Sequence, residues 1–561
     1  MFKENIEHKQ TKLFNTPNIL PLPMLKRLKN SWAEKFRTNI FSTIDEKIYE
    51  VLYSNKKSRP NFPVNIWISL EIIKNMFNFS DNELLEQYHF NLLTSYAVGQ
   101  DDLGSNPLSA RTLYYNRSRV IDYEEQTGIN LFDEEFNRQN NHLIDKFSIK
   151  TNIQRMDSSL IGSNIKSMSR LEIVVKVLQN FYKSLSEKEQ KRYQKQVEEF
   201  IENDADHITF YLKSSEIPSK MRKIGKILYQ LQNNYYKDKK INKTNEFVLL
   251  SRVLDEQFIL NHRSKGKYIF EIKPNKDISS SSLQNPADPD ATYRKKGDKK
   301  SQGYSLNISE TCSKDSSVQI ITDISVHKNN KSDNHILAER IGEIKEKTPD
   351  LEEIITDAGY TGDQAVEACE KEDVRLVPTQ IKGKKCSDKI IPLKDFKFNG
   401  RKIEMCPFGC IPYSYDYDKE KRKHTVLFRK KDCSGCKFKE KCRVKEMKMS
   451  FRLIYTDKAA QSAILRGNLE DFAYRQRCRL RPAIEGTVSL FKRRTRNGKS
   501  KYRGINRIQN CLILTAIAIN FRRIEAFFNM MPSCFLAAFF SLLVLYLCII
   551  LANMSHRKSF S

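Results

Sequence analysis

The sequence predicts an α/β protein with an all-α N-terminal domain, a mixed-sheet core that contains a helical insertion, and an apolar C-terminal helix. Three observations lead to this prediction. Apolar residues recur at helical spacing between 62 and 120, strand-like alternation begins near 146 and returns after 267, and an uncharged apolar stretch starts at 526. A chain of 561 residues is also too long for one average domain.

The first two segments are basic and then helical. Residues 1–60 are mixed and basic, and we expect them to form an N-terminal arm. Residues 61–125 are predicted to form a helical domain, in which Ser80 and Glu83 have the spacing of a capping box. Such a domain can serve packing, dimerisation or DNA binding, and its sequence contains no distinctive recognition helix.

The predicted core covers residues 145–525. Residues 146–159 alternate like a strand that ends at Asp157, and a helical insertion follows at 168–265. Strand signals return after 267. Residues 352–379 then predict a strand, a turn, a helix opened by Thr361 and a second strand, which is a small βαβ unit.

The charge balance indicates a polyanionic partner. Lys plus Arg number 96 and Asp plus Glu number 68, which gives a formal net charge of +28. Neutralised phosphates release counterions, so nucleic acid is the natural partner, although biased codon usage also produces Lys-rich chains. The first residues lack the apolar region of a secretory signal. We therefore expect a cytoplasmic, nucleoid-associated protein.

The far C-terminal part is uncharged from Ala526 to Ser555. Residues 530–554 form an apolar segment, long enough for a transmembrane helix, which needs about 20 apolar residues. A membrane span, an oligomer contact, and translation past a damaged end of a genetic element are three interpretations of it.

Two aspartates follow apolar strand signals. Asp357 comes directly after the strand signal at 352–356, and Asp157 has a similar position. Strand ends of α/β sheets collect ligand chemistry, and carboxylate oxygens are the ligands that Mg²⁺ prefers. Asp323, in another strand signal, is a rival for a place near the metal. Each aspartate alone could simply belong to a turn.

Glu485 is the single acidic residue between Arg475 and Arg503, a stretch with eleven Lys or Arg. In a helix, Arg481, Glu485 and Lys492 share one face, which suits a metal ligand beside a DNA backbone. An ordinary intrahelical salt bridge is the alternative. Pro482 restricts the start of this helix, so that Arg481 can lie just outside it.

Three short blocks carry a family resemblance. Met156–Ser159, residues 356–365, and the R-x3-E-x6-K pattern of Arg481, Glu485 and Lys492 resemble the catalytic blocks of bacterial insertion-sequence transposases of the DDE class. The resemblance covers roughly residues 60–525 and implies an RNase H-like core. The family often has Tyr where this chain has Cys478, and the gap between the two aspartates is long here.

The resemblance implies metal-dependent cleavage and transfer of DNA strands at the ends of the element. Asp157, Asp357 and Glu485 would bind two Mg²⁺ or Mn²⁺ ions. The implied partner is double-stranded DNA, namely the terminal inverted repeats and the target, bound by a homodimer. Basic residues would contact this DNA: Arg481, Lys492, Arg493, Arg494 and Arg496. The alternative is a non-catalytic DNA-binding protein derived from a decayed transposase.

A cysteine-rich insertion is expected at residues 400–445. Its C-x2-C pair and neighbouring cysteines can form a structural zinc site, with His424 as a spare donor. The alternative is a set of reduced thiols around a hairpin. The candidate ligands are Cys406, Cys433, Cys436 and Cys442.

Overall fold

The computed structural model describes residues 1–10, 16–54, 56, 59–104, 106–263, 267–381 and 389–530. It contains several short 3-10 helices, among them Ala358–Tyr360 and Arg481–Ala483. The α-helices are α1 Leu22–Lys29, α2 Trp32–Asn39, α3 Val64–Phe77, α4 Asp81–Phe90, α5 Leu92–Ala97, α6 Ala110–Thr127, α7 Leu131–Phe147, α8 Arg170–Ser184, α9 Glu187–Ile201, α10 Ala205–Phe210, α11 Ile217–Tyr235, α12 Asn245–Gln257, α13 Asp333–Lys347, α14 Asp363–Lys371, α15 Lys430–Ser434, α16 Asp457–Asn468, α17 Phe472–Cys478, α18 Ile484–Lys492 and α19, residues 505–530.

The strands form one large mixed sheet and three smaller antiparallel sheets within the described residues. The strands are β1 Ile153–Gly162, β2 Phe258–Arg263, β3 Lys267–Ile272, β4 Thr292–Lys296, β5 Lys299–Thr311, β6 Ile321–Lys328, β7 Glu353–Thr356, β8 Arg375–Pro378, β9 Lys397–Asn399, β10 Lys402–Met405, β11 Ser414–Asp418, β12 Lys423–Arg429, β13 Lys445–Glu446 and β14 Ser450–Thr456.

The N-terminal part is helical, as predicted. Helix α3 is buried on nearly all sides: its many apolar residues, including the fully buried Trp67, pack into the core, and several of its polar residues are buried with them. Ser80 and Glu83 form the predicted capping box of α4. The prediction of a separate basic arm over residues 1–60 is wrong for part of that segment. Phe36 and Tyr49 are fully buried in the same core cluster as Trp67.

The large sheet has β1 near its centre. Strand β5 pairs antiparallel with β1 on one side and with β4 and β6 on the other, while β7 pairs parallel with β1 and β8 parallel with β7. Helices α13 and α14 pack on one face, and α18 contacts β1. This mixed α/β arrangement is compatible with the predicted core.

The helical insertion between β1 and β4 has its own core. Helices α8 to α12 surround buried side chains such as Leu178 and Phe181, and the β2–β3 hairpin follows them. The sequence signal at 268–272 thus marks a hairpin of the insertion and not a strand of the large sheet.

The helix of the small βαβ unit begins later than predicted. Helix α14 starts at Asp363, and Gly362 is its N-cap residue. The hydroxyl of Thr361 donates to the Ala358 carbonyl and does not cap the helix. The prediction that Thr361 opens the helix is therefore wrong, because a hydrogen bond within the preceding turn competes for this hydroxyl.

The apolar segment 530–554 lies outside the described residues except for Met530, the last residue of α19. Among the helices that the structure describes, none is long and apolar enough to cross a membrane.

Candidate active site

Asp157 lies in the middle of β1, which continues to Gly162, so the prediction that the strand ends at Asp157 is wrong. Strand β1 continues because β5 pairs with it along its whole length. Strand β7, in contrast, pairs with β1 only from Ile153 to Arg155. Asp157 therefore lies just beyond the level at which its parallel neighbour stops pairing.

Asp357 directly follows β7. It is the N-cap of the 3-10 helix Ala358–Tyr360, and its carboxylate accepts a hydrogen bond of 2.6 Å from the Gly359 amide. Arg155 pairs with Ile355, so two further residues along each strand bring Asp157 and Asp357 to the same level. Neighbouring strands are about 4.8 Å apart. The two carboxylates thus lie at one edge of the parallel part of the sheet.

A later segment of the chain places Arg481 beside this edge, and Glu485 lies next to Arg481. Arg481 belongs to the 3-10 helix that precedes α18, as Pro482 suggested, and Glu485 lies in the first turn of α18. Ile484 and Phe491 are buried, which seats α18 on the core. The Arg481 Nη2 lies 2.8 Å from an Asp157 carboxylate oxygen, and its Nη1 lies 3.4 Å from Glu485 Oε1.

Glu485 does pair with Arg481, but this pair joins the 3-10 helix to α18 and does not lie within one helix. The same guanidinium pairs with Asp157, so it bridges carboxylates from two distant parts of the chain. The Glu485 side chain is 68% exposed, while that of Asp157 is 13% exposed. The Glu485 carboxylate is therefore accessible to solvent, whereas that of Asp157 is largely enclosed.

The electrostatic balance favours a cation at this edge. Burial raises the pKa of the Asp157 carboxyl above its ordinary value of 3.8, the nearby Asp357 raises it further, and Arg481 opposes both effects. Arg481 therefore does not fully offset burial and the repulsion from Asp357. An additional positive charge would favour the ionised form.

Asp323 lies two strands away from β1, on β6. Ser309 pairs with Met156 on one side and with Asp323 on the other, so Asp323 shares a face of the sheet with Met156 and not with Asp157. Its fully buried carboxylate lies 2.5 Å from Arg340 and 3.2 Å from Lys347, both on α13. Asp323 is thus an internal ion-pair partner.

The predicted DNA-contacting residues differ in their surroundings. Arg481 is part of the carboxylate cluster described above, while Lys492, Arg493 and Arg496 are exposed after or at the end of α18. Arg494 instead donates to the backbone carbonyls of Asn75 and Leu490, at 2.7 Å each. Its guanidinium joins the helical N-terminal domain to α18.

Sequence reasoning missed a buried polar cluster next to this edge. Glu310 on β5 is fully buried and contacts Arg155, Thr487 and Arg523. These residues lie far apart in the chain, and no local motif identifies them.

The cysteines of the predicted zinc site share one small cavity of about 20 Å³. The Cys406 sulfur accepts hydrogen bonds from the amides of Phe408 and Cys410, at 3.4 and 3.2 Å. Burial raises the pKa of the Cys433 thiol to about 12. The cavity is lined by Cys406, Cys410, Cys433, Cys436 and Cys442.

His424 is not a spare donor to this cavity. Its Nε2 contacts Asp457 at 2.6 Å and its Nδ1 contacts the Tyr415 hydroxyl at 2.8 Å. In the described part of the chain, moreover, no three His, Cys, Asp or Glu side chains are placed together so that they could hold a metal ion. This holds for the cysteine cavity and for the carboxylate edge alike.

Residues 405–525 match the family described as Transposase DDE domain. Over these residues the resemblance to DDE-class transposases is confirmed. The matched segment includes Arg481 and Glu485, whereas Asp157 and Asp357 precede it. The match supports a transposase-type function, with DNA as the partner and a divalent metal ion as the usual cofactor of such domains. No curated protein and no solved structure matches the chain.

Proposed function

We propose that the protein is a DNA transposase that cleaves and transfers DNA strands at the ends of its own insertion sequence. The main support is the carboxylate edge. Asp157 and Asp357 lie at one level on neighbouring parallel strands, and Arg481 connects Asp157 to Glu485. We propose that the sheet of β1 and β4 to β8 is an RNase H-like core and that α18 is its catalytic helix.

In this proposal Asp157, Asp357 and Glu485 bind Mg²⁺ or Mn²⁺. Their oxygen-only donor set suits hard cations, and Mg²⁺ commonly takes only one or two protein carboxylates, with waters and substrate phosphates as its other ligands. A preformed group of three ligands is therefore not required before DNA binds. When bound, such ions activate an attacking oxygen and stabilise a leaving oxygen during in-line phosphoryl transfer.

The residues of the chain have distinct tasks in this mechanism. Buried Asp157 and N-capped Asp357 supply fixed oxygens, whereas exposed Glu485 can turn inward once a cation replaces its contact with Arg481. The guanidinium of Arg481 can then contact a phosphate, since two of its N–H groups already face the edge. Exposed Lys492, Arg493 and Arg496 would contact the DNA backbone.

The experiment uses the purified full chain with duplexes that contain the element ends. Inverted repeats in the DNA that flanks the gene identify these ends. We expect Mg²⁺-dependent nicking and strand joining, and loss of both in Glu485→Gln without loss of end binding. The matched control is Glu343→Gln, because Glu343 is also an exposed helical carboxylate paired with an arginine.

Two results would contradict the proposal. A protein that binds the ends but never cuts with Mg²⁺ or Mn²⁺ is the non-catalytic alternative. Cleavage that survives in Glu485→Gln, or is lost equally in Glu343→Gln, removes Glu485 from the metal site.

We further propose a cytoplasmic, nucleoid-associated homodimer on DNA, since strand transfer brings two element ends together. Membrane association would depend on residues 530–554 alone. Deletion of residues 530–561 should then release the protein from membranes, and a full-length protein found entirely in the soluble fraction rules this association out.

We also propose structural zinc at the cysteine cavity, with Cys406, Cys433, Cys436 and Cys442 as ligands. The support is that all four line one cavity and that two amides already donate to the Cys406 sulfur. Zinc binding requires deprotonation of these thiols.

A further inference from the structure

Glu310 occupies the centre of a buried polar cluster beneath α18. Its Oε1 accepts a hydrogen bond from Arg155 Nε at 2.7 Å. Its Oε2 accepts from the Thr487 hydroxyl at 2.7 Å and from Arg523 Nη2 at 2.8 Å. The cluster therefore joins β1, β5, α18 and α19 through a single carboxylate.

The cluster contacts the site segment at both of its ends. Arg155 also donates from Nη1 to the Leu480 carbonyl at 2.7 Å, and Leu480 directly precedes Arg481. Thr487 lies two residues after Glu485. Arg155 itself is two residues before Asp157 on the same face of β1. Asp157 and Glu485 thus lie two residues from a cluster member, and Arg481 directly follows the residue whose carbonyl the cluster binds.

The cluster gives α18 directional hydrogen bonds, which its apolar contacts do not provide. Ile484, Val488 and Phe491 hold the helix against the core, but hydrophobic contact is non-directional. Hydrogen bonds have strict distance and angle requirements, so the bond from Thr487 to Glu310 fixes the rotation of the helix about its axis. That rotation decides where Glu485 points.

Stability alone does not explain such a cluster. Burial of a carboxylate with two guanidinium groups costs desolvation energy, and apolar residues of similar volume commonly stabilise a core equally well. A role in orienting the segment 480–487 does explain it, because the bonds end at Leu480 and Thr487.

We infer that Glu310, with Arg155, Thr487 and Arg523, is a positioning cluster that orients Arg481 and Glu485 toward Asp157 for metal binding. This inference rests on the proposed function. Glu310 itself contacts neither metal nor DNA in this role. It acts through Leu480 and Thr487.

The test compares three substitutions of buried threonines. Thr487→Val removes only the hydroxyl, and Thr487→Ser retains it. Thr322→Val is the matched control, because the Thr322 hydroxyl is equally buried and donates to Gln154 at 2.6 Å. The measurements are the Mg²⁺ dependence of cleavage, Mn²⁺ binding by electron paramagnetic resonance, end binding and thermal unfolding.

Thr487→Val should raise the metal concentration for half-maximal cleavage, or lower the cleavage rate, by about 10- to 100-fold. End binding should stay within about twofold, as expected when only groups behind the metal ligands change. Thr487→Ser should recover most of the loss, and Thr322→Val should show normal metal dependence. Glu310→Gln should resemble Thr487→Val if it folds.

Normal metal dependence in Thr487→Val overturns the inference and leaves the proposed function intact. An equal defect in Thr322→Val overturns it too, because the effect then reflects general destabilisation. A wild-type protein that neither cleaves nor binds Mn²⁺ overturns the proposed function, and the positioning role with it.

Discussion

Neutralisation of Asp323 and of Asp157 should have opposite consequences, although both carboxylates lie on strands of one sheet. Asp323 is fully buried between Arg340 and Lys347. Asp157 shares the guanidinium of Arg481 with Glu485. We expect Asp323→Asn to lower the free energy of unfolding and to leave metal-dependent cleavage intact. We expect Asp157→Asn to slow cleavage strongly without lowering the free energy of unfolding.

The magnitude for Asp323 follows from its contacts. Loss of one partner of a buried ion pair costs about 3–5 kcal/mol. The lower limit, about 3 kcal/mol, applies here because Arg340 keeps Glu343 and Lys347 keeps Asp133. Burial opposes ionisation of Asp323, but Arg340 and Lys347 outweigh it and lower its pKa below 3.8. The stabilisation is therefore present above pH 3.8 and is lost as the pH falls through the lowered value.

For Asp157 the sign is reversed. Burial raises its pKa, so the charged form lowers stability as the pH rises through that value. Asp157→Asn should unfold at the same or a higher denaturant concentration at pH 7. Its cleavage rate should fall by at least about 100-fold, since metal ions contribute several kcal/mol of charge stabilisation.

Denaturant unfolding at pH 7 and pH 3, together with Mg²⁺-dependent cleavage, checks both variants. The difference in stability between wild type and Asp323→Asn should narrow at pH 3. Loss of cleavage in Asp323→Asn with unchanged stability, or normal cleavage in Asp157→Asn, would refute the assignment of the two carboxylates.

Three further outcomes are expected. At subsaturating Mg²⁺, where the rate reports the metal-free protein, the acid limb of the pH–rate profile should lie above pH 3.8, because burial raises the pKa of Asp157; a limb at or below 3.8 contradicts this. Protein purified without chelators should contain zinc by elemental analysis. Cys436→Ser should lose this zinc, whereas the control Cys478→Ser, which lies outside the cavity, should retain it. Equal zinc content in both variants argues against the site. Gly303→Ala should lower the free energy of unfolding by more than about 1 kcal/mol in denaturant unfolding. The reason is that Gly303 has a φ of +148° and that a Cβ there would lie 2.4 Å from the Ile161 carbonyl oxygen. Unchanged stability would show that the strands can shift.

Local sequence patterns predicted the features that depend on a few neighbouring residues. The capping box of Ser80 and Glu83, the strand before Asp357, and the apolar face of α18 all follow from short-range spacing. The R-x3-E spacing likewise anticipated the contact between Arg481 and Glu485. One turn of helix brings such residues together whatever the rest of the chain does.

Features that depend on strand pairing could not be predicted from local sequence patterns. Strand β1 continues past Asp157 because β5 pairs with it there. The sequence of residues 299–311 does not show with which strand, or in which register, they will pair. Asp323 lies on the opposite face from Asp157 for the same reason. A shift of one residue in either pairing would exchange the two faces.

The same dependence on pairing separates a structural carboxylate from a candidate metal ligand. Asp323, Asp157 and Asp357 follow similar apolar patterns in sequence, and each alone could bind a cation. In the fold, Asp323 faces two buried cations and has no uncompensated charge for a divalent ion. Asp157 and Asp357 occupy one level of the sheet, and Asp157 shares the guanidinium of Arg481 with Glu485. Because a metal ion binds where carboxylates exceed the cations that the protein supplies, charge balance on each face of the sheet favours the Asp157 edge.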